Sequence, residues 1–333
     1  MTGLLRQRVT AGRALAASCG RASARSARLM DRNVPTVADE RRREAMLGSY
    51  HNHPGYCDGS GSVEDYIDAA RAAGLAALGF SSHAPVPFPC DWTMTVERFE
   101  RYVADVRAAQ EAWRGRFPLW LGVELDYLDP ALVPGGAEFQ RRVVLAVGLD
   151  YAVTSLHFVG RDPDGRPWAV DESAESFARQ VKEVYGGDVR RLVEDYYGLV
   201  ERLAGWAGTL GIPVVLGHLD KVKQWNVGER YFPERAPWYR EAVERALDAI
   251  RGARLPIELN TSGLRRALGT PYPGEWILRR ARELGIPVVI GADAHRPEDV
   301  ASGFAEAQAI LASVGYRAVL VLGADGWRSI ALR

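Results

Sequence analysis

The sequence lacks the features that would mark a secreted, membrane-spanning or nucleic-acid-binding protein. It has no run of about 18 apolar residues, the length that a transmembrane helix requires. Its three cysteines, Cys19, Cys57 and Cys90, form no Cys-x-x-Cys pair, so we expect free thiols in a reducing cytoplasm. Basic and acidic residues number 42 each, which leaves no net charge to attract nucleic acid or an anionic membrane. We therefore expect a soluble, cytoplasmic protein with a small-molecule partner, and leave a homo-oligomer open.

The amino-terminal segment differs in composition from the rest of the chain. The first 30 residues contain six arginines, many alanines and serines, and no acidic residue before Asp31. A transit peptide has this composition, and so does a disordered tail or a start assigned too early, since Met46 precedes the first predicted strand. We interpret residues 1–45 as a basic, disordered extension or a mis-assigned start, and residues 46–333 as one catalytic barrel domain.

From Leu47 onward, short apolar runs alternate with stretches of helical periodicity. This βαβα pattern produces parallel strands joined by helical crossovers. Three helix-to-strand turns repeat a Gly-Leu or Gly-Ile-Pro unit, which favours one barrel over two unrelated domains. The pattern predicts an α/β fold with eight strand signals: Leu47 to Tyr50, Ala77 to Ser81, Leu119 to Val123, Tyr151 to Leu156, Pro213 to Leu216, Pro256 to Leu259, Pro287 to Ile290 and Ala318 to Leu322.

The six histidines of the chain all follow predicted strands. Three acidic residues share this placement: Asp58, Glu124 and Asp293. A lone histidine is more often a surface or core residue than a ligand, but the catalytic face of a β/α barrel is built from carboxyl-terminal strand ends. The sequence therefore predicts that these side chains meet at one mouth of the barrel. The histidines are His51, His53, His83, His157, His218 and His295.

Spacing predicts how these side chains point. Residues i and i+2 of a strand share a face, so His51 and His53 should converge, as should Asp293 and His295. Burying so many imidazoles and carboxylates without a cation would leave unpaired polar groups. We therefore predict a metal site.

Ligand chemistry indicates which metals to expect. Imidazole with carboxylate suits zinc, iron or manganese better than magnesium or calcium. Nine ligands are too many for one ion, so we expect two or three divalent ions, with Glu124 or Asp293 bridging them. Three such ions against three carboxylates leave three positive charges, which a hydroxide and a phosphomonoester dianion would neutralise.

Six ordered motifs across about residues 47 to 300 resemble the polymerase and histidinol phosphatase (PHP) family of metal-dependent phosphoesterases. The stretch from Glu258 to Arg265, the following Tyr272-Pro273 and the Ser-Leu-His-Phe at 155 to 158 are similar to the histidinol-phosphatase branch. The motifs are His51-Asn52-His53, Ser82-His83, Gly122-Val123-Glu124, Ser155-Leu156-His157, Gly217-His218-Leu219-Asp220 and Asp293-Ala294-His295.

The resemblance implies a distorted TIM-like (β/α)7 barrel of PHP type and hydrolysis of L-histidinol phosphate in histidine biosynthesis. It implies a trinuclear centre in which a metal-bridging hydroxide is the nucleophile, with Glu124, Asp293 and His295 as catalytic residues. The implied ligand sets are His51, His53, Glu124 and Asp293; then Glu124, His157 and His218; then Asp58, His83 and His295.

Substrate recognition is less well defined by the sequence. Arg161 and Arg265 follow strand ends, and Asp220 has the same parity as His218, so these three residues are our substrate-binding candidates. The first loop reads Cys57-Asp58-Gly59, where the histidinol-phosphatase branch commonly has Cys-Pro-His-Gly. This departure affects the ligands of the third metal site and the choice of ester.

The sequence leaves three alternative functions open. The chain could hydrolyse another small phosphate ester, it could be an amidohydrolase-type metal hydrolase, or it could be a non-catalytic accessory domain. Amidohydrolases also open with His-x-His, but they usually place a lysine or carboxylate where this chain has Ser155-Leu156-His157. The full set of ligand residues argues against an accessory domain.

Overall fold

Parallel strands alternate with helices along residues 47–332, the part of the chain that the computed structural model describes. The α/β class is confirmed, and the extension predicted for residues 1–45 lies outside the described residues. The strands are β1 (Gly48–Ser49), β2 (Ala77–Phe80), β3 (Leu119–Leu121), β4 (Glu124–Asp126), β5 (Ala152–Ser155), β6 (Phe158–Arg161), β7 (Pro167–Ala169), β8 (Val214–Leu216), β9 (Ile257–Asn260), β10 (Val288–Gly291), β11 (Ala318–Gly323) and β12 (Gly326–Ala331). The α-helices are α1 (Val63–Ala72), α2 (Val96–Ala112), α3 (Gly136–Val147), α4 (Ala174–Glu183), α5 (Val189–Ala207), α6 (Pro237–Ala253), α7 (Glu275–Glu283) and α8 (Phe304–Ser313).

The helices begin and end where local chemistry dictates. At the start of α1, Ser62 accepts a hydrogen bond from the Asp65 amide, and the Asp65 side chain accepts one from the Ser62 amide. This capping box satisfies amide groups that have no partner within the helix. Gly74 follows the helix with a φ of +74°, a conformation that glycine adopts without steric cost. The turn delivers the chain directly into β2.

The parallel strands form two sheets, in the orders β1-β2-β3 and β4-β5-β8-β9-β10. Strand β3 leads into β4 through Gly122 and Val123. Single parallel bridges, Asn52 with Ala294 and His83 with Glu124, link the two sheets. The strands are paired in the circular order that a seven-stranded barrel requires. The hydrogen-bonded strands form two separate sheets, and single bridges join these sheets. All the strand ends that carry predicted ligands therefore lie at one edge.

The eighth strand signal does not belong to the parallel sheets. Strand β11 pairs antiparallel with β12, and only Ala324 and Asp325 separate them. Two residues are enough for a hairpin, whereas a parallel connection needs a dozen or more. The hairpin packs against the amino-terminal end of the sheets, where the Trp327 indole donates to the Val214 carbonyl at 3.0 Å. The strand predicted at Ala318 to Leu322 is confirmed, but it lies outside the parallel sheets.

A buried tyrosine fills the interior beneath the site. The Tyr151 hydroxyl donates to the Tyr50 carbonyl at 2.6 Å and the Phe80 carbonyl at 3.0 Å. A Cβ atom at Gly79 or Gly122 would lie 2.4 Å from the Tyr151 side chain. Both neighbouring strands therefore need glycine at these positions to accommodate the ring. The resulting contacts hold β1, β2 and β3 at fixed spacing.

The long segment between β5 and α4 folds back on itself. It contains the antiparallel hairpin β6–β7, and the residues after β7 border the edge where the ligand-bearing strands end. Within residues 47–332, no helix combines the length and apolar character needed to cross a membrane.

Candidate metal centre

The nine predicted ligands converge on one cleft. Each follows or begins a parallel strand, except Asp58, which lies in the loop after β1. Four overlapping groups of their donor atoms lie within 4.8 Å of one another: His53, Asp58, His83 and His295; His51, His53 and Asp293; His51, Glu124 and His218; His83, Glu124 and His157. The structure thus brings together every residue that the sequence analysis proposed as a ligand.

Glu124 lies at the centre of the cluster and is 1% exposed. Its Oε2 atom is 3.0 Å from His83 Nδ1, 3.2 Å from His51 Nε2 and 3.4 Å from His53 Nε2. Tetrahedral ligands with bonds of about 2.1 Å are separated by about 3.4 Å. The spacing of these donors is therefore that of atoms arranged to share a cation.

The second oxygen of Glu124 faces a different pair of imidazoles. Oε1 is 3.0 Å from His218 Nε2 and 3.8 Å from His157 Nε2, and it accepts a hydrogen bond from the Ser155 hydroxyl. One carboxylate thus faces imidazoles on both sides. Glu124 would therefore be able to contribute one oxygen to each of two ions.

The third part of the cluster is closest to solvent. Asp58 Oδ1 is 3.4 Å from His295 Nε2 and 3.8 Å from His83 Nε2. The His295 ring stacks on His53 with centroids 4.2 Å apart, and its side chain is 32% exposed. Asp293 Oδ1 is 3.6 Å from both His295 Nδ1 and His53 Nε2, which connects this part to the interior.

Several of these donors have no partner among residues 47–332. His51 Nε2, His53 Nε2, His83 Nδ1 and Glu124 Oε2 are buried and make no hydrogen bond. A buried polar atom without a partner costs about 1–3 kcal/mol. Because these atoms face one another across about 3 Å, cations would satisfy them together. The donor set therefore fits divalent metal ions.

The electrostatics favour ligand-competent protonation states for several of these groups. Burial raises the pKa of Glu124, but the charges of His51 and His83 outweigh it and hold the pKa well below the usual value. The pKa of Asp293 is lowered in the same way, chiefly by His51 against the effect of burial. Burial and neighbouring imidazoles hold the pKa of His53 well below its usual value. Two carboxylates are thus ionised and one imidazole neutral at pH 7.

Sequence reasoning missed two carboxylates that contact ligand imidazoles. Asp126 Oδ1 lies 2.8 Å from His157 Nδ1, and Glu258 Oε1 lies 2.7 Å from His51 Nδ1. Asp126 was detectable, because it has the same parity as Glu124 in the Glu-Leu-Asp of β4. Glu258 begins the stretch that resembles the histidinol-phosphatase branch, but its place near the start of β9 rather than the end did not indicate a contact with a ligand.

These additional carboxylates correct the sequence-based charge count. Asp126, Glu258 and Asp171 add three acidic groups next to the nine ligands, whereas Lys221 adds one basic group. Three divalent ions would then leave little excess positive charge. Charge balance alone therefore does not indicate a phosphate dianion. This corrects the inference drawn from the sequence.

The substrate-binding candidates lie elsewhere than expected. The Arg161 guanidinium donates to the Leu132 and Gly165 carbonyls and lines a separate surface groove. Asp220 is fully buried, where it forms an ion pair with Lys223 at 2.9 Å and accepts a hydrogen bond from the Gly274 amide at 2.9 Å. Strand β8 ends at Leu216, so the alternation that related Asp220 to His218 no longer holds there.

Arg265 also takes a different position. Its guanidinium donates to the Ala292 carbonyl at 2.9 Å and the Asp293 carbonyl at 3.3 Å, so it supports the backbone of a ligand. The basic residues that do line the cleft are Lys221 and Arg266. Lys221 Nζ lies 3.4 Å from Asp171 Oδ2 and its side chain is 3% exposed.

Trp92 forms one wall of the cleft. The centroid of its ring lies 4.7 Å from that of His83 and 5.3 Å from that of His157, and the ring stacks on Phe158 at 5.4 Å.

Cys57 is buried beside the cluster of histidines, with its sulfur 3.6 Å from His53 Nδ1. Cys57 and Cys90 are free thiols; Cys19 lies outside the described residues.

Known proteins resemble this chain in sequence and in fold. The family model described as "PHP domain" matches residues 49–262. A "Probable histidinol-phosphatase" from Deinococcus radiodurans is 34% identical over 272 residues, covering 81% of this chain and 94% of that protein. The "Histidinol-phosphatase" of Bacillus subtilis is 27% identical over 268 residues, covering 75% and 94% respectively.

A solved structure extends the comparison to the fold. It is the histidinol phosphate phosphatase of Lactococcus lactis, complexed with zinc, L-histidinol and phosphate. The match has a TM-score of 0.61 and 16% sequence identity, and covers 85% of this chain and 99% of the other. At this identity the likeness establishes a shared fold.

Proposed function

The chain belongs to the PHP domain family, and on that premise we propose that it is a histidinol-phosphatase. It would hydrolyse L-histidinol phosphate to L-histidinol and phosphate, a step of histidine biosynthesis in the cytoplasm. The observation that carries the enzyme class is the buried cluster of donors around Glu124 whose facing atoms have no partner among residues 47–332. The names of the two relatives, matched over 94% of their length, support the choice of ester.

We propose two or three divalent ions in this cluster. The zinc in the Lactococcus lactis structure supports that metal, and iron or manganese would suit the same donors. Such ions, when bound, would supply a nucleophilic hydroxide at neutral pH and positive charge for the phosphoryl oxygens. The proposed ligands are His51, His53, Asp58, His83, Glu124, His157, His218, Asp293 and His295.

The surrounding residues of the chain would bind and orient the ester. Lys221 and Arg266 are the basic side chains in the cleft, and we assign them to the phosphoryl oxygens. On the same wall, Asp171 and Glu172 supply carboxylates that suit the ammonium group of a histidinol ester. Trp92 provides an aromatic face beside the ligands, against which an imidazole ring can pack.

Catalytic roles follow from position within the cluster. Glu124 and Asp293 are buried carboxylates, each in contact with more than one imidazole, and would hold the reacting groups in place. His295 is partly exposed and lines the cleft, so we propose that it faces the ester directly.

The Asp-Gly form of the first loop keeps one alternative open. Asp58 stands near His295 and His83 at ligand distances, so the loop retains a donor for a third ion. Because this loop form is common elsewhere in the family, the runner-up is hydrolysis of another small phosphate ester. We expect no nucleic-acid substrate.

A substrate panel tests the assignment. The metal-reconstituted protein is assayed for phosphate release from a set of phosphomonoesters that includes L-histidinol phosphate, with the His53→Ala variant as control for contaminating phosphatases. We expect L-histidinol phosphate to lead by at least about 100-fold in kcat/KM, a difference of roughly 2.7 kcal/mol in transition-state stabilisation. A flat profile would overturn the specific substrate while leaving the hydrolase class intact.

A further inference from the structure

Glu258 is a buried carboxylate that contacts two elements of the metal centre without being one of the nine ligands. It lies on β9 and is 1% exposed. Its Oε1 atom lies 2.7 Å from His51 Nδ1. Its Oε2 atom accepts hydrogen bonds from the His218 main-chain amide at 3.0 Å and the Asn260 side-chain amide at 2.9 Å.

The neighbouring strand β10 provides the space for this carboxylate. A Cβ atom on Gly291 would lie 1.7 Å from Glu258 Oε1, and the three atoms nearest to it all belong to Glu258. Gly291 has no positive φ that would require glycine for conformational reasons. Glycine at this strand position is therefore explained by the volume of the Glu258 side chain.

The contact determines which nitrogen of His51 faces the cleft. When Nδ1 carries the proton and donates it to Glu258, Nε2 is left with a free lone pair. Nε2 is the atom that lies 3.2 Å from Glu124 Oε2 and has no hydrogen-bond partner among the described residues. A histidine that binds a metal usually has its other nitrogen fixed by a carboxylate or carbonyl in this way.

We propose that Glu258 is a positioning residue for the metal centre. It fixes the tautomer and ring orientation of His51, and through the His218 amide it also fixes the strand end that carries a second ligand. Gly291 is the position that makes room for it. This inference rests on the proposed metal centre and is independent of which ester the enzyme hydrolyses.

The test compares zinc affinity in the full-length protein without substrate. Zinc is titrated into apo-protein in competition with a chromogenic chelator, and the number of ions bound per chain is determined independently. The variants are Glu258→Ala, Glu258→Gln and Gly291→Ala. Glu241→Gln, at an exposed glutamate of α6, is the matched control. Far-UV circular dichroism confirms that each variant is folded.

We expect Glu258→Ala to weaken zinc binding at the tightest affected site by 10- to 100-fold, the usual cost of losing such a contact. Glu258→Gln keeps an oxygen acceptor for His51 Nδ1 and should show a smaller loss. The cobalt-substituted Glu258→Ala protein should also have an altered visible absorption spectrum, which a change in global stability alone would not produce.

A double-variant cycle tests the role of Gly291. Gly291→Ala alone should weaken zinc binding, because its methyl group displaces the Glu258 carboxylate. In the Glu258→Ala background it should have little further effect, since its clashing partner is gone. If Glu258→Ala does not fold, Gly291→Ala and Glu258→Gln decide the question by the same measurement.

The proposal is overturned if the folded Glu258 variants bind zinc within about 3-fold of the Glu241→Gln control. If the losses of zinc affinity in Gly291→Ala and Glu258→Ala are additive in the double variant, Gly291 does not act by making room for Glu258. Failure of the substrate panel with normal zinc affinities would count against the histidinol ester only, so the two outcomes are distinguishable.

Discussion

Removing divalent cations is expected to lower the melting temperature of the protein by at least about 8 °C. In the cation-free folded state, His51 Nε2, His53 Nε2, His83 Nδ1 and Glu124 Oε2 are buried without partners among the described residues. At about 1–3 kcal/mol each, these four atoms carry a penalty of about 4–12 kcal/mol, which water entering the cleft would reduce.

The size of the stabilisation follows from mass action. At a free zinc concentration of about 1,000 times Kd, each ion that binds the folded state alone contributes about 4.1 kcal/mol, so a single ion gives the minimum stabilisation. This value lies at the low end of the range from the unpartnered atoms. For a chain of this length, about 1 kcal/mol corresponds to about 2 °C, which gives the expected shift.

Differential scanning calorimetry of chelator-treated and zinc-reloaded protein measures this shift. The His53→Ala variant, which lacks a donor at the centre of the cluster, should lose most of it. A shift below about 2 °C with two or more zinc ions bound per chain would refute the reasoning, because the ions would then not be satisfying the buried atoms.

Three further outcomes are expected. His53→Ala should lose bound zinc and at least about 100-fold in kcat/KM while keeping its far-UV spectrum; wild-type activity without zinc would contradict the proposed role. Tyr151→Phe removes the hydroxyl that donates to the buried Tyr50 carbonyl, whereas the Phe80 carbonyl keeps the Gly122 amide as a donor, so urea unfolding should show a loss of about 1–3 kcal/mol with kcat unchanged; an equal free energy of unfolding would show that the hydroxyl contributes nothing. Burial raises the pKa of Asp171, but Lys221 and nearby imidazoles outweigh it and hold the pKa at about 2, below the ordinary 3.8. The stabilisation is present above about pH 4 and lost as the pH falls through about 2, so apo Asp171→Asn should be up to about 2 kcal/mol less stable at pH 7 and equal to wild type near pH 2. A difference that persists at pH 2 would contradict this origin.

The convergence of the histidines and carboxylates was predictable because few rules determine it. Parallel strands deliver their carboxyl ends to one edge, so residues such as Glu124 and His218, 94 positions apart, are brought to 3.0 Å. The alternation of side chains also predicted that His51 and His53 lie together, and their ring centroids are 5.1 Å apart even though β1 itself ends at Ser49. Both rules depend only on strand order and local periodicity, which the apolar runs show clearly.

The same rules failed where the strands had ended. Asp220 lies after β8, in a 3-10 turn that directs it into a buried ion pair with Lys223, so strand parity with His218 had no meaning there. Arg161 stands on the β6–β7 hairpin, which the sequence did not predict and which directs its guanidinium away from the cleft.

The apolar run Ala318 to Leu322 illustrates a further limit. It forms a strand, as predicted, but composition does not reveal whether a strand joins the parallel sheets or pairs with a neighbour in a hairpin. Glu258 was missed for a related reason. Its role depends on the space opposite Gly291, a contact between residues 33 positions apart that no local pattern shows.

The most direct test of the central claim is the rate of L-histidinol phosphate hydrolysis by one protein sample before chelation, after complete removal of metal, and after zinc is returned. We predict that phosphate release falls to below about 1% of the starting rate in the metal-free sample and recovers when two to three zinc ions are bound per chain. An undiminished rate in the metal-free protein would contradict the claim that the imidazoles and carboxylates around Glu124 form a catalytic metal centre.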